Sequence, residues 1–256
     1  MKRETGAFNE GSAGQGAQYA LPYHYIPRLE DGHFSQHLAW AWGYRYLGGL
    51  LLVLDCLEAV AFDSLLDVGC GDGRVLGEIG KRFPGKRLAG IDVEPRAVAL
   101  AGALSPGPRY VCGDIRRDAV PGGPFDAVTL VEVLEHIPAA EVSGFLAATA
   151  ARQTAGGRLV VTVPHENRPV IAKHEQHFSV ARLSAALGEA YAVERITCFE
   201  KRAPVFSRLM RGVLGNRVFV LSFQPLLDAL FRLYRRRFFL CEEAQCGRIC
   251  AVARKR

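Results

Sequence analysis

Between residues 64 and 164 five short apolar runs alternate with segments of helical spacing, and this alternation constrains the fold more than any other feature of the chain. The runs SLLDVG (64–69), RLAGIDV (87–93), RYVCGD (109–114), FDAVTLVEV (125–133) and GRLVVTVP (157–164) read as buried strands. Between them RVLGEIGKRF (74–83), PRAVALAGAL (95–104) and VSGFLAATAARQT (142–154) carry helical spacing. A proline opens the second helix, and Gly156-Gly157 is expected to close the third. Strands separated by single helices run parallel and are joined by right-handed crossovers. YAVERITCFEK (191–201) and GRICAVARK (247–255) add two strands around a long insertion, 204–245. The terminal strand is expected to return antiparallel at or near the sheet edge. The expected fold is therefore α/β: a doubly wound, mostly parallel seven-stranded sheet with helices on both faces, its last strand antiparallel.

LLDVGCGDGRV (65–75) leaves the first strand and opens a helix. Gly69, Gly71 and Gly73 let a ligand approach the main chain, and the helix N-terminus behind them presents unpaired N–H groups. The spacing is GxGxG and not the GxGxxG of dinucleotide folds, because Arg74 stands where the last glycine would be. Asp67, two residues before the first glycine, suits a cationic amino group better than a pyrophosphate. Asp92 ends the second strand, where an acid can accept both hydroxyls of a ribose. Asp114, after the third, can accept from an exocyclic adenine amine, with Ile115 packing on the ring. An amino-acid group, a ribose and an adenine together make S-adenosylmethionine.

In this order and spacing, D-V-G-C-G-D-G, G-I-D-V-E-P, G-D-I and F-D-A-V-T-L-V-E-V-L-E-H-I-P resemble the motifs of class I S-adenosylmethionine-dependent methyltransferases, over roughly residues 60–165. The resemblance implies a Rossmann-like methyltransferase fold, with Asp67 and Gly69 near the methionine moiety. It also implies Gly71 and Gly73 under the cofactor, Asp92 on the ribose and Asp114 near the adenine.

The same resemblance sets the end of the fourth strand beside the sulfonium methyl. Glu132, Glu135 and His136 gather there, with Glu132 expected on the strand face opposite Val131 and Val133. E-x-x-E-H is similar to the pattern of two metal-dependent branches, the ubiquinone-biosynthesis O-methyltransferases and the small-RNA 3′-terminal 2′-O-methyltransferases. That likeness implies a divalent cation (Mg, Mn or Zn) held by Glu132, Glu135, His136 and His177, with His174 of KHEQHFS (173–179) as a further candidate. Without a metal, His136 serves as general base or positions the acceptor, with Glu132 and Glu135 beside it. A loop with no chemistry is the third reading, in which His177 merely enters the 179–187 helix.

The remaining chain divides into a polar tail (1–18), expected to be disordered, an aromatic and helical cap (19–60) and the methyltransferase domain (61–256) with its basic, apolar insertion (204–245). Tyr19, Tyr23, His24 and Tyr25 can close over the acceptor or pack in the core. Seven scattered cysteines and no apolar leader suggest reduced thiols in the cytoplasm. Residues 201–256 hold 13 Lys/Arg against 3 Asp/Glu, which invites an anionic membrane surface or nucleic acid as partner. LLDALFRLYRRRFF either lies peripherally on such a membrane or packs as a helix with a basic outer face. These readings converge on methyl transfer to an oxygen, or else a nitrogen or carbon, of a small-molecule, glycan or lipid-linked acceptor. The alternatives are a metal-dependent 2′-O-methyltransferase on RNA and a non-catalytic subunit that binds the cofactor.

Overall fold

A computed structural model describes residues 43–215 and 219–256, together with two short strands, β1 (Arg28–Glu30) and β2 (His33–Ser35), which pair antiparallel. The expected tail, the proposed lid residues Tyr19, Tyr23, His24 and Tyr25, and both tryptophans lie outside the described residues. A helix, α1 (Gly43–Glu58), leads into β3 (Ser64–Val68), α2 (Arg74–Arg82), β4 (Arg87–Asp92), α3 (Pro95–Leu104) and β5 (Arg109–Cys112). Then follow β6 (Phe125–Val131), α4 (Val142–Ala151), β7 (Gln153–Pro164), α5 (Val180–Leu187) and β8 (Tyr191–Lys201). The insertion forms α6 (Pro204–Leu214) and α7 (Gln224–Tyr234) before the last strand, β9 (Cys246–Lys255).

Seven strands form one sheet in the order β5-β4-β3-β6-β7-β9-β8. β9 pairs antiparallel with both β7 and β8, so it sits one place in from the edge and β8 runs with the parallel strands. β3 is buried along its whole length, Ser64 and Asp67 included, because helices cover both faces. Successive residues serve opposite cores. Leu65 and Ala127 pack with Leu47, Val53, Met210, Leu227 and Tyr234 on one face. Leu66 and Val128 pack with Phe145, Leu146, Leu183 and Leu187 on the other.

Local chemistry fixes the helix starts. Glu94 accepts from the Arg96 N–H at 3.2 Å ahead of Pro95, and Ser179 accepts from the Arg182 N–H at 3.3 Å. The third helix ends earlier than the glycine pair suggested. It stops at Ala151, and Gln153 already pairs with Phe125. Gly156, at φ 69°, lies instead inside the long β7, where the register with β6 shifts.

The apolar faces of the insertion are largely spent on the core: α6 buries Phe206, Met210 and Leu214, and α7 buries Leu227, Phe231 and Tyr234. Val205, Leu209, Leu226 and Leu233 remain exposed. Among the described residues no helix is long and apolar enough to cross a membrane. All seven cysteines are free thiols.

Candidate active site

The turn after β3 is held to β4 through its main chain. The Gly69 and Cys70 N–H groups both donate to the Ile91 carbonyl, at 2.8 and 3.1 Å. Gly69, Gly71 and Gly73 have φ of 74°, 54° and 75°, the left-handed region that a side chain disfavours. Asp92 accepts from the Gly71 N–H and the Glu94 N–H, each at 2.9 Å, so one carboxylate ties the glycine turn to the end of β4. Asp67, 1% exposed at the end of β3, accepts from the Thr129 hydroxyl at 2.6 Å. Burial pushes its carboxyl up to about 7, against the pull of that hydroxyl, and Asp92 and Asp72 add to the rise. Burial likewise raises Asp92. Neither Asp67 nor Asp92 makes an ion pair among the described residues. Two buried acids without a cation fit a ligand that brings an ammonium group and hydroxyl donors.

Two expectations on this side are modified. Asp114 is grasped by the Arg116 guanidinium at 2.7–3.1 Å, which holds its carboxyl below the usual range, so an adenine amine would share it with that arginine. Ile115 is 2% exposed and belongs to the core with Val120 and Phe125, so its side chain is not open for a ring to stack on.

At the acceptor side β6 ends at Val131, two residues sooner than its pattern implied. Glu132 has φ 57°, which turns the chain out of the strand and cancels the expected alternation with Val131 and Val133. Its N–H donates to the Thr162 carbonyl at 3.0 Å, and its carboxylate accepts from the Thr162 hydroxyl at 3.1 Å and from Arg248 Nε at 2.7 Å. Burial opposes its charge, but Arg248, Thr162 and Arg168 together outweigh it and leave the carboxyl below its ordinary value.

Leu134–His136 then form one 3₁₀ turn. Glu135 is 0% exposed, and neither of its carboxylate oxygens has a hydrogen-bond partner. Burial, reinforced by Glu132, raises its carboxyl well above the ordinary range. His136 Nδ1 lies 2.8 Å from the Lys173 carbonyl, which can only accept, so the proton is on Nδ1 and the Nε2 lone pair is available. The same logic runs through the other pair. His177 Nδ1 donates to the Arg168 carbonyl at 3.0 Å, so its Nε2 accepts from His174 Nδ1 at 2.8 Å. His174 Nε2 is thereby left with a lone pair. Ligand atoms of Glu135, His136 and His174 all lie within 4.8 Å of one another.

The metal set expected from the sequence is therefore corrected twice. Glu132 is committed to Arg248 and Thr162, and His177 stands behind His174 as its hydrogen-bond acceptor. The residues brought together are Glu135, His136 and His174. Their chemistry fits a cation: a buried carboxylate with both oxygens unpaired and two imidazoles with free lone pairs.

The sequence reading missed an arginine–glutamate network alongside. Arg248 bridges Glu132 and Glu200, and Glu200 also pairs with Arg45 at 3.3 Å and Arg168 at 3.4 Å. Opposite charges within two predicted strands, Glu200 in β8 and Arg248 in β9, were the available signal.

A methyltransferase-domain family matches residues 65–157. The demethylspheroidene O-methyltransferase of Rhodobacter capsulatus is 33% identical over 122 residues, which is 43% of this chain and 30% of that protein. The ubiquinone biosynthesis O-methyltransferase of Marinobacter nauticus is 33% identical over 121 residues, 44% of this chain and 49% of its own length. The chain thus spans less than half of these curated relatives. Among solved structures, the N-methyltransferase NodS of Bradyrhizobium japonicum, bound to S-adenosyl-L-homocysteine, superposes with a TM-score of 0.55 at 17% identity, covering 84% of this chain and 87% of that one. The [4+2]-cyclase SpnF gives 0.58 at 15% identity, covering 96% and 93%. The fold is thus shared with a protein named for a different reaction, and the methyltransferase likeness rests on the matched segment, 65–157. Residues 65–157 thus match a methyltransferase domain, set in a seven-stranded sheet whose fold is shared with NodS.

Proposed function

We propose that this chain transfers a methyl group from S-adenosylmethionine to an oxygen of a small-molecule, glycan or lipid-linked acceptor. The observation that carries the reading is His136: its Nδ1–H is tied to the Lys173 carbonyl, and its Nε2 lone pair lies at the same sheet edge as the glycine turn. Asp67 and Asp92 are suited to the amino group and the ribose hydroxyls, and Gly69, Gly71 and Gly73 give the turn the positive φ values that set its main chain beside them. S-adenosylmethionine, when bound, supplies a methyl on a positively charged sulfur. His136 Nε2 takes the hydroxyl proton as the acceptor oxygen gains its bond to carbon and the sulfur–carbon bond breaks. Burial lowers the pKa of His136, against its carbonyl partner, and so keeps the base neutral at physiological pH. Most of the rate comes from alignment and exclusion of water. S-adenosyl-L-homocysteine should raise the melting temperature, and His136→Ala should spare that shift while abolishing turnover. Loss of the shift in His136→Ala would refute the assignment of the base. No shift with wild type would refute the cofactor assignment.

A second, metal-assisted form is favoured by the orphaned Glu135 carboxylate. Glu135, His136 and His174 would hold the ion; the two imidazoles suit zinc, while the carboxylate is the group that would suit manganese or magnesium. Such an ion supplies Lewis acidity toward an acceptor hydroxyl. Stoichiometric zinc or manganese retained through gel filtration by wild type, and lost in His174→Ala, supports this form. Absence of both metals from wild type after reconstitution excludes it. RNA as acceptor, a non-catalytic role and membrane contact through the exposed Val205, Leu209, Leu226 and Leu233 are separable by assays with RNA, by turnover and by liposome flotation.

A further inference from the structure

Among the described residues two glutamates adopt the left-handed backbone conformation, Glu132 at φ 57° and Glu200 at φ 60°, and both turn their carboxylates onto the same arginine, Arg248. Each such residue holds its backbone in a conformation that an L side chain disfavours. Backbone strain of this kind clusters where a site has been built. Beyond Glu200 lies a cavity of about 520 Å³ at the carboxyl edge of the sheet, past the ends of β7 and β8 and the start of β9. Arg45, Arg168, Lys201 and Arg202 line it, against the single carboxylate of Glu200, and Asn167, Ser207 and Gln245 add neutral polar groups. Glu200 is already divided among three guanidiniums, from Arg45, Arg168 and Arg248. Lys201 and Arg202 have no carboxylate partner among the described residues. The stem of Arg168 crosses Gly247, where an added Cβ would sit 3.4 Å from Arg168 Cδ and 3.1 Å from the Glu200 carbonyl. That packing aims the guanidinium at the cavity. Burial, together with the neighbouring Arg248 and Arg45, lowers Arg168 to about 10. The cavity therefore holds more positive charge than its own residues neutralise.

We infer that this cavity binds an anionic group of the acceptor, a carboxylate or a phosphate, through Arg168, Arg45, Lys201 and Arg202. The inference rests on the methyl-transfer reading and adds a substrate class to it. The distance follows from the sheet. His136 stands past the end of β6, and the cavity is centred two to three strands away, toward β9 and β8. At about 4.8 Å per strand the charged group lies roughly 10–15 Å from the methylated atom. An elongated acceptor with its hydroxyl at one end and its charge at the other fits that span. Arg168 also ties the two ends together, since its carbonyl holds His177, which in turn orients His174.

The test uses the full chain, with inorganic phosphate and succinate as separate probes, titrated at constant ionic strength with chloride as the control. Saturable binding of one probe is expected, weakened about tenfold or more in Arg168→Ala and in Arg202→Ala, because each removes a charge-assisted hydrogen bond. Arg202 is exposed and unpaired, so its variant folds even if Arg168→Ala does not. Affinity for S-adenosyl-L-homocysteine should stay unchanged in both. For pairs of hydroxylated acceptors that differ by one charged group, Arg202→Ala should raise KM for the charged member and leave kcat unaltered. Failure of both anions to bind a wild type that binds S-adenosyl-L-homocysteine overturns the inference and spares the methyl-transfer reading. Anion binding that survives both substitutions places the anion elsewhere and overturns it equally. Failure to bind S-adenosyl-L-homocysteine counts against the methyl-transfer reading alone, because the anion titration is read without it.

Discussion

Replacing Asp67 by Asn should make the protein more stable and a worse cofactor binder, and both effects should depend on pH. Asp67 is 1% exposed, and its carboxyl titrates at about 7 against an ordinary 3.8. A carboxyl raised in the folded state is easiest to bury when protonated. Its stabilising form is fully present below pH 3.8 and is lost as the pH rises through 7. Linkage over that interval amounts to about 4 kcal/mol by pH 8, of which about 2–3 kcal/mol accrues between pH 5 and pH 8. Asn keeps the shape and still accepts from the Thr129 hydroxyl, but never charges. It also leaves two N–H donors unpaired, a constant cost of roughly 1–3 kcal/mol. That constant cancels when one variant is compared with wild type across pH. The melting-temperature difference, Asp67→Asn minus wild type, should therefore grow by about 5–10 °C from pH 5 to pH 8. Binding of S-adenosyl-L-homocysteine should run the other way. An ammonium group beside Asp67 selects the ionised carboxyl, so the wild type's advantage over Asp67→Asn should shrink about tenfold per pH unit below 7. Thermal scans and calorimetric titration on both proteins at pH 5, 6, 7 and 8 read out both trends. A melting-temperature difference that stays flat across this range would refute the argument that Asp67 is a buried acid held for a cationic ligand.

Gly69→Ala should lose about 2–4 kcal/mol, read as a fall in the urea midpoint, because φ 74° strains any Cβ and the new atom would lie 2.6 Å from Val133 Cγ2. Gly144→Ala, in α4 with no atom near its Cβ position, should instead gain up to about 1 kcal/mol by the same measurement. Tyr191→Phe should cost about 1–3 kcal/mol in the same assay without changing cofactor affinity, since it strips the 2.6 Å hydrogen bond to the buried Gln153. If zinc or manganese binds, His177→Ala should weaken it by about 10–100-fold in a chelator competition and His174→Ala should abolish it, because His177 fixes the tautomer of His174 without touching the ion.

The sheet was legible because its strands are covered on both faces. An apolar run such as 64–68 or 157–164 has no polar period to confuse it, and helices of about ten residues between such runs leave one topology. The turn after β3 was legible for a related reason. Gly69, Gly71, Gly73 and Asp92 do their work through the main chain, where each residue type has a conformational consequence that spacing alone exposes. Boundaries failed where one residue changed the backbone against its pattern. Val131-Glu132-Val133 reads as a strand alternation, but Glu132 leaves the β region because its carboxylate is drawn to Arg248 and Thr162. Gly156-Gly157 reads as a helix stop, yet it bends a strand.

What the sequence could not supply was the partner of each charge. Arg248 lies 116 residues from Glu132 and 48 from Glu200, so no local window contains the network. The histidines show the same limit at shorter range. His174 and His177 are three residues apart, both are hydrogen-bonded, and spacing gives no reason to prefer one as a ligand. The preference appears only when acceptors are assigned: the Arg168 carbonyl takes the His177 proton, His177 takes that of His174, and of the two only His174 retains a lone pair and groups with Glu135 and His136. A ligand histidine is thus defined by the far end of its hydrogen-bond chain. Here that end is the main chain of Arg168, which follows β7 and carries the guanidinium of the anion cavity. Substituting the Arg168 side chain leaves the carbonyl in place, so charge recognition and histidine orientation can be separated by side-chain mutation at a single position.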